Sequence, residues 1–140
     1  MKNNDIVAKI CSLPEQLERV NDKSLVQLLK DTGVKKSKEA ISVEGLKNYL
    51  RNNAGLVENW LLYSMNKRID EGWYFEKENK VTYIVGYLFK NTSRKEELKY
   101  SDAIQACAIF IHNELADICN VYCSPIVNSK AKKIVLTSLL

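Results

Sequence analysis

The sequence has few of the residues that form reactive or metal-binding centres. Its 140 residues include one histidine, His112, two prolines and five widely scattered glycines. A catalytic histidine needs a nucleophile or a second acid–base group, and a tetrahedral metal site needs several soft ligands. The sequence contains no phosphate-binding loop, dinucleotide-binding motif or nucleophile elbow. We therefore expect a protein that is not an enzyme and has no cofactor or metal site.

Long apolar runs are also missing. No run reaches the roughly 18 residues that span a bilayer, and the N-terminus leads into no apolar region typical of a secretory signal. We expect a cytoplasmic protein with no membrane contact. Disulfides are rare in a reducing compartment, so the four cysteines are expected to be free thiols: Cys11, Cys107, Cys119 and Cys123. Cys107 and Cys119 are expected to be small buried side chains.

The overall composition is that of a folded protein. Apolar residues make up 46% of the chain and charged residues 27%, and the length fits a single domain over residues 1–140. Three regions are expected within it: a helical half (1–70), a sheet with a helix (71–123) and a basic, apolar tail (124–140). The tail could add a strand or a short helix.

Capping signals divide the first half into helices. Residues 12–15 match a capping box, and residues 24–27 repeat that signal before a stop near Gly33. Ser42 is placed to cap a third helix. A longer helix over about 56–69 has a wide apolar arc, which indicates a central position in the helical half.

Two aromatic and β-branched runs then predict a hairpin. Residues 73–77 and 81–89 are separated by a short turn at 78–80, and residues 96–100 alternate as a third, edge strand. Neither face of the second run is strongly polar, so it is expected to be the central strand. Gly86 within it indicates a bulge or a close backbone approach.

Ser101 and Asp102 predict the start of a strong helix over about 102–119. Its apolar stripe follows helical spacing: Ile104, Cys107, Ala108, Ile111, Leu115 and Ile118. Other sides of this helix are apolar too, so it should pack between the sheet and the helical half. His112 flanks the stripe and is expected to be structural. The predicted fold class is α+β: an N-terminal helical half and a three-stranded antiparallel meander packed on a C-terminal helix.

The hairpin is the best candidate for a binding surface. A strand cannot place the adjacent Trp73 and Tyr74 on one face, so one of them must lie off the main core. Acidic residues surround these aromatics. Aromatic side chains beside charged residues are typical of a protein-binding patch. The predicted site consists of Trp73 or Tyr74 with Glu76 and Glu78, together with Asp70 and Glu71.

A family resemblance runs through residues 72–116. The segments GWYFE (72–76) and YIVGY (83–87), with YSD (100–102) leading into the helix at 106–115, resemble small bacterial immunity proteins. Such proteins are encoded beside polymorphic toxins, including those of contact-dependent growth inhibition. The resemblance implies a cytoplasmic, non-catalytic protein that binds and neutralises one cognate toxin domain.

The charge of the chain constrains this hypothesis. Inhibitors of nucleases tend to be acidic, whereas this chain has a formal net charge of +4. The toxin is then not a nuclease, or inhibition uses a local acidic patch, or the inhibitor acts away from the toxin's active site. The alternative function is a small nucleic-acid-binding or regulatory protein. It would use Lys35, Lys36 and Lys38 with the arm at Lys130–Lys133, although such lysines can also simply be solvated. An enzyme of unrecognised type is a third possibility.

Overall fold

A computed structural model describes residues 2–19, 27–28, 31, 42–67, 71–89 and 95–123. It confirms the predicted α+β class, and its elements are α1 (Lys2–Cys11), α2 (Leu13–Arg19), α3 (Val43–Arg51), α4 (Leu56–Asn66), β1 (Gly72–Lys77), β2 (Tyr83–Leu88), β3 (Lys95–Tyr100) and α5 (Ala103–Cys123). The tail at 124–140 lies outside the described residues. So does most of the predicted helix that begins near residue 24, although its Gln27, Leu28 and Asp31 have helical backbone.

The predicted caps begin two of the helices. The Ser42 hydroxyl accepts a hydrogen bond from the backbone N–H of Gly45 at 3.2 Å at the start of α3. Asp102 accepts bonds from Ile104 at 2.9 Å and Gln105 at 3.3 Å at the start of α5. These bonds satisfy backbone donors that have no partner within the first helical turn.

Two helix ends differ from the predictions. α5 continues to Cys123, four residues beyond the expected end. α4 ends at Asn66 instead of about 69, because the backbone at Lys67 is extended, with φ −74° and ψ 129°. The side chain of Lys67 forms an ion pair with Glu114 of α5, a contact that helical spacing alone could not predict.

The sheet is the predicted meander. Its order is β1-β2-β3, both pairs are antiparallel, and β2 is central. Both ladders continue through Gly86 without an extra residue, which excludes the predicted alternative of a bulge there. In the turn between β1 and β2, Glu78 N–H donates to the carbonyl of Thr82 at 2.9 Å, and Val81 N–H donates to Asn79 Oδ1 at 2.9 Å.

The core lies around α5, which contacts the sheet and helices α3 and α4 as predicted. Its largest fully buried side chains include Trp60, Trp73, Phe75, Tyr87, Phe110, Ile111 and Leu115. The Phe75 and Phe110 rings are stacked at 5.6 Å, which joins β1 to α5. Trp60 packs edge-on to Phe110 at 6.1 Å and donates from its indole nitrogen to the carbonyl of Cys11 at 2.9 Å. The indole therefore ties α4 to the end of α1 as well as to α5.

Two neighbouring polar side chains of α5 are buried in different ways. Glu114, 4% exposed, accepts hydrogen bonds from the Tyr63 hydroxyl at 2.5 Å and from the Lys67 ammonium at 2.6 Å. Asn113 is 1% exposed, and neither atom of its amide has a hydrogen-bond partner among the residues described. Glu114 thus links α5 to α4 and to the residue that follows it, whereas the Asn113 amide is buried with no such bond among the described residues.

The buried thiols of Cys11 and Cys107 are free, as expected. Burial raises the pKa of Cys11 to about 12. Burial and, secondarily, the neighbouring Cys11 raise the pKa of Cys107 well above its usual value. Both groups therefore remain protonated and unreactive at neutral pH.

Candidate functional site

In β1, the adjacent aromatics Trp73 and Tyr74 differ in burial, and this difference shows which of them faces outward. Trp73 is 1% exposed and lies edge-on to Tyr87, with ring centroids 5.1 Å apart. Tyr74 is half-buried on the opposite face. The expectation that Trp73 could be a contact residue is corrected by its burial in the core. Tyr74 is the aromatic available to a partner.

Tyr74 is held in place by groups on β2 and β3. In the sheet register it lies across from Gly86, which in turn pairs with Glu97. The Tyr74 hydroxyl donates a hydrogen bond to Glu97 Oε2 at 2.6 Å. A Cβ atom at position 86 would lie 2.4 Å from Tyr74 Cζ and 2.8 Å from the carbonyl oxygen of Glu96. The close approach predicted at Gly86 is therefore made by the Tyr74 ring, which only glycine leaves room for.

The electrostatics of this group keep Tyr74 neutral. Burial raises the pKa of the Tyr74 phenol above its ordinary value, and the hydrogen bond and charge of Glu97 raise this pKa further. The phenol therefore remains a hydrogen-bond donor to Glu97 at physiological pH. The result is an aromatic side chain fixed in one orientation on the outer face of the sheet.

The structure describes three of the four predicted acidic residues, and all three are exposed: Glu71, Glu76 and Glu78. Glu78 is paired with Lys99 of β3 at 3.1 Å, which neutralises part of its charge. Asp70 lies outside the described residues, as do the lysines of the alternative nucleic-acid hypothesis at 35, 36, 38 and 130–133. Of the predicted acidic residues, Glu76 lines a cleft together with Tyr74. The carboxylate that binds the Tyr74 hydroxyl belongs to Glu97, which was not among the predicted residues.

A cleft of about 690 Å³ lies between α4 and β1, and sequence analysis missed its helical wall. Its lining includes Tyr74 and Glu76 from β1 and Glu58, Leu62 and Met65 from α4. Leu62 is 47% exposed and Met65 74% exposed. The available signal was the wide apolar arc of this helix. We interpreted that arc as central burial, but part of it remains open to solvent.

A second, smaller cleft of about 310 Å³ lies on the other side of α4, against α2. Its lining includes Leu17, Asn59, Leu62 and Lys67. The Asn59 amide donates to Glu15 at 3.2 Å, and the Lys67 ammonium is already bound to Glu114. Leu62 lines both clefts, so the exposed side of α4 is a ridge with a depression on each side.

The groups in the larger cleft are suited to binding an apolar segment that carries positive charge. Leucine and methionine side chains and the Tyr74 ring supply apolar surface. Two carboxylates, Glu58 and Glu76, outnumber the single ammonium of Lys77, so the lining has an excess of negative charge. Within the described residues, no group of three or more His, Cys, Asp or Glu side chains could hold a metal ion. No helix in that same part of the chain is long and apolar enough to cross a membrane.

No family model matches the sequence, and comparisons with curated proteins and with solved structures gave no significant match.

Proposed function

We propose that this protein is an immunity protein that binds and neutralises a cognate bacterial toxin domain, and that the cleft between α4 and β1 is its binding surface. One observation carries the choice of surface. Leu62 and Met65, both strongly exposed, line the same cleft as Tyr74 and Glu76. Large apolar side chains that are exposed together mark interaction sites far more often than isolated ones do.

The make-up of the cleft agrees with a protein interface. Interface centres are enriched in tyrosine and methionine, and their rims are polar. Tyr74 is already fixed by Glu97, so a partner would not have to order this side chain on binding. A pre-ordered aromatic beside open apolar surface is a good candidate for a residue that contributes much of the binding energy.

The choice of a toxin as the partner rests on the resemblance of residues 72–116 to immunity proteins. Tyr74 and Glu76 belong to that segment and line the cleft. The local charge favours one of the three explanations for a net basic inhibitor. Two carboxylates, Glu58 and Glu76, lie at the cleft of a chain whose net charge is +4, so we favour inhibition through a local acidic patch.

The test uses the C-terminal domain of the large secreted protein that we expect to be encoded immediately upstream. This domain is induced in a bacterial host with or without the immunity protein, and growth is followed. Wild-type protein should restore growth, whereas Met65→Glu should not. Val81→Glu is the matched control, because Val81 is also exposed, at 66%, but is not among the residues that line the cleft. Circular dichroism verifies that each variant is folded.

Two results would contradict the proposal in different ways. If Met65→Glu and Leu62→Glu both restore growth like wild type, the binding surface is elsewhere. If the wild-type protein neither binds the upstream domain nor restores growth, the toxin hypothesis is wrong. Nucleic-acid binding that weakens steeply with salt would then favour the alternative function.

A further inference from the structure

We infer that the cleft between α4 and β1 accepts an amphipathic helix of the partner, with apolar residues along one face and lysine or arginine beside them. The inference deepens the proposed function and rests on it for the identity of the partner. Its physical basis is the shape of the α4 surface, the coverage of the β1 edge by α4, and the charge at the cleft.

The exposed side chains of α4 follow the helix axis. Glu58, Leu62 and Met65 are spaced i, i+4 and i+7, and all three are exposed. At 1.5 Å per residue, this stripe is about 10 Å long, close to two helical turns. A partner helix laid along it could insert side chains into the larger cleft on one side of Leu62 and into the smaller cleft on the other.

The β1 edge is poorly suited to the other common mode of peptide recognition. An added strand would need the free backbone groups of β1, because β2 occupies its other side. The outward N–H of Phe75 already donates to the hydroxyl of Ser64 in α4 at 2.7 Å. Helix α4 therefore covers the middle of this edge, which favours helix packing over strand addition.

The charge at the cleft selects a cationic partner. Glu58 and Glu76 are exposed, and neither forms an ion pair with another residue in the part of the chain described. Lys77 is the basic residue of the lining, and its ammonium lies 5.6 Å from the centre of the Tyr83 ring. A cationic helix would find two available carboxylates there, although the chain as a whole would repel it.

The same charges argue against a second copy of this chain as the occupant. A two-fold interface pairs one surface patch with itself. Self-association through the cleft would bring four carboxylates, Glu58 and Glu76 of both copies, together with only two Lys77 ammonium groups, so the contact would keep an excess of negative charge. A different protein with lysine or arginine beside its apolar residues avoids that repulsion.

The test uses a labelled synthetic helical peptide of 18 residues, with leucines along one face and flanking lysines, followed by fluorescence anisotropy. An analogue with glutamates in place of the lysines is the charge control. The lysine peptide should bind wild-type protein at least about tenfold more tightly than the analogue. A Leu62→Ser/Met65→Ser variant should weaken binding of the lysine peptide about tenfold, whereas Val81→Ser should not.

A pair of charge reversals isolates the electrostatic contribution. Glu76→Lys should weaken binding of the lysine peptide about threefold or more. Glu44→Lys makes the same change in net charge at an exposed position of α3 and should leave it unchanged.

Three results would overturn the inference: equal binding of the two peptides, no effect of Leu62→Ser/Met65→Ser, or a dimer in sedimentation velocity that Met65→Ser dissociates. Failure here is distinguishable from failure of the proposed function. Peptide binding at the cleft without any binding of the upstream domain would reject the toxin while keeping the helix inference. Neutralisation of the toxin without peptide binding would reject the helix inference while keeping the toxin hypothesis.

Discussion

The two faces of the small sheet differ in what holds their aromatic residues. On the core face, Trp73, Phe75 and Tyr87 are almost fully buried against one another and α5. On the outer face, the Tyr74 ring lies half-open over Gly86 and is fixed by a hydrogen bond to Glu97. Changes on the first face should therefore appear in the free energy of unfolding, and changes on the second in partner binding.

The largest expected effect comes from placing a charge in the core beneath the first face. Ile111 is 0% exposed at the centre of α5, and Ile111→Asp would bury a carboxylate without a partner. Total stabilities are roughly 5–15 kcal/mol, so we expect the variant to be unfolded at 25 °C by circular dichroism. His112→Ala, one residue along, should stay folded and restore growth like wild type. Loss of function in that folded variant would favour the enzyme hypothesis.

Paired truncations on β1 compare the two faces directly. Trp73→Ala should lower the free energy of unfolding by about 3–5 kcal/mol, the usual cost of removing a buried aromatic. Tyr74→Ala should cost only about 1 kcal/mol, close to one hydrogen bond, while weakening toxin binding. Urea denaturation and calorimetry measure the two quantities. Comparable destabilisation by both variants would show that the outer ring is a core residue instead of a binding one.

The ion pair between Lys67 and Glu114 allows a comparison between losing one buried charge and losing both. Glu114→Ala should destabilise the protein by about 3 kcal/mol, because it leaves Lys67 largely buried without its carboxylate. The double variant Glu114→Ala/Lys67→Met should recover part of that loss, since no buried charge remains. Urea denaturation of wild type and both variants provides the test. A double variant as unstable as the sum of two independent losses would contradict the pairing.

The last expected effect is a loss of stability that appears only at high pH. The pKa of Cys11 is raised from 9.0 to about 12 in the folded state. Its contribution to stability is therefore complete below pH 9 and is lost as the pH rises towards 12, because the unfolded thiol gives up its proton first. Urea denaturation at pH 8 and 11 should show a smaller decrease for Cys11→Ala than for wild type. An equal decrease would mean that other groups account for the alkaline loss.

Local rules were sufficient to predict most of the fold. Alternation of apolar residues over 73–100 predicted the meander and its central strand, and Ser42 and Asp102 cap helices as expected. These features depend on spacing and on hydrogen bonds between residues close in sequence. Alternation also indicated that either Trp73 or Tyr74 would leave the core, although it could not say which.

The helical wall of the cleft could not be predicted in the same way. Leu62 and Met65 look like core residues in the sequence, and only the packing of α4 against β1 and α5 leaves them exposed. Glu114 shows the opposite outcome, because it is a charged side chain that is buried. Its partners lie far away in sequence: Tyr63 is in α4 and Lys67 directly follows that helix. Contacts distant in sequence decide both outcomes.

The Met65 methyl group gives the most direct test of the proposed binding surface. The chain contains only two methionines, so ¹³C-methyl labelling of methionine yields two signals, and Met65→Leu identifies the one from the cleft. Because Met65 is 74% exposed in the free protein, its resonance should shift or broaden when a stoichiometric amount of the upstream toxin domain is added. If calorimetry shows that the domain binds while the Met65 resonance stays unchanged, the cleft is not the toxin-binding surface.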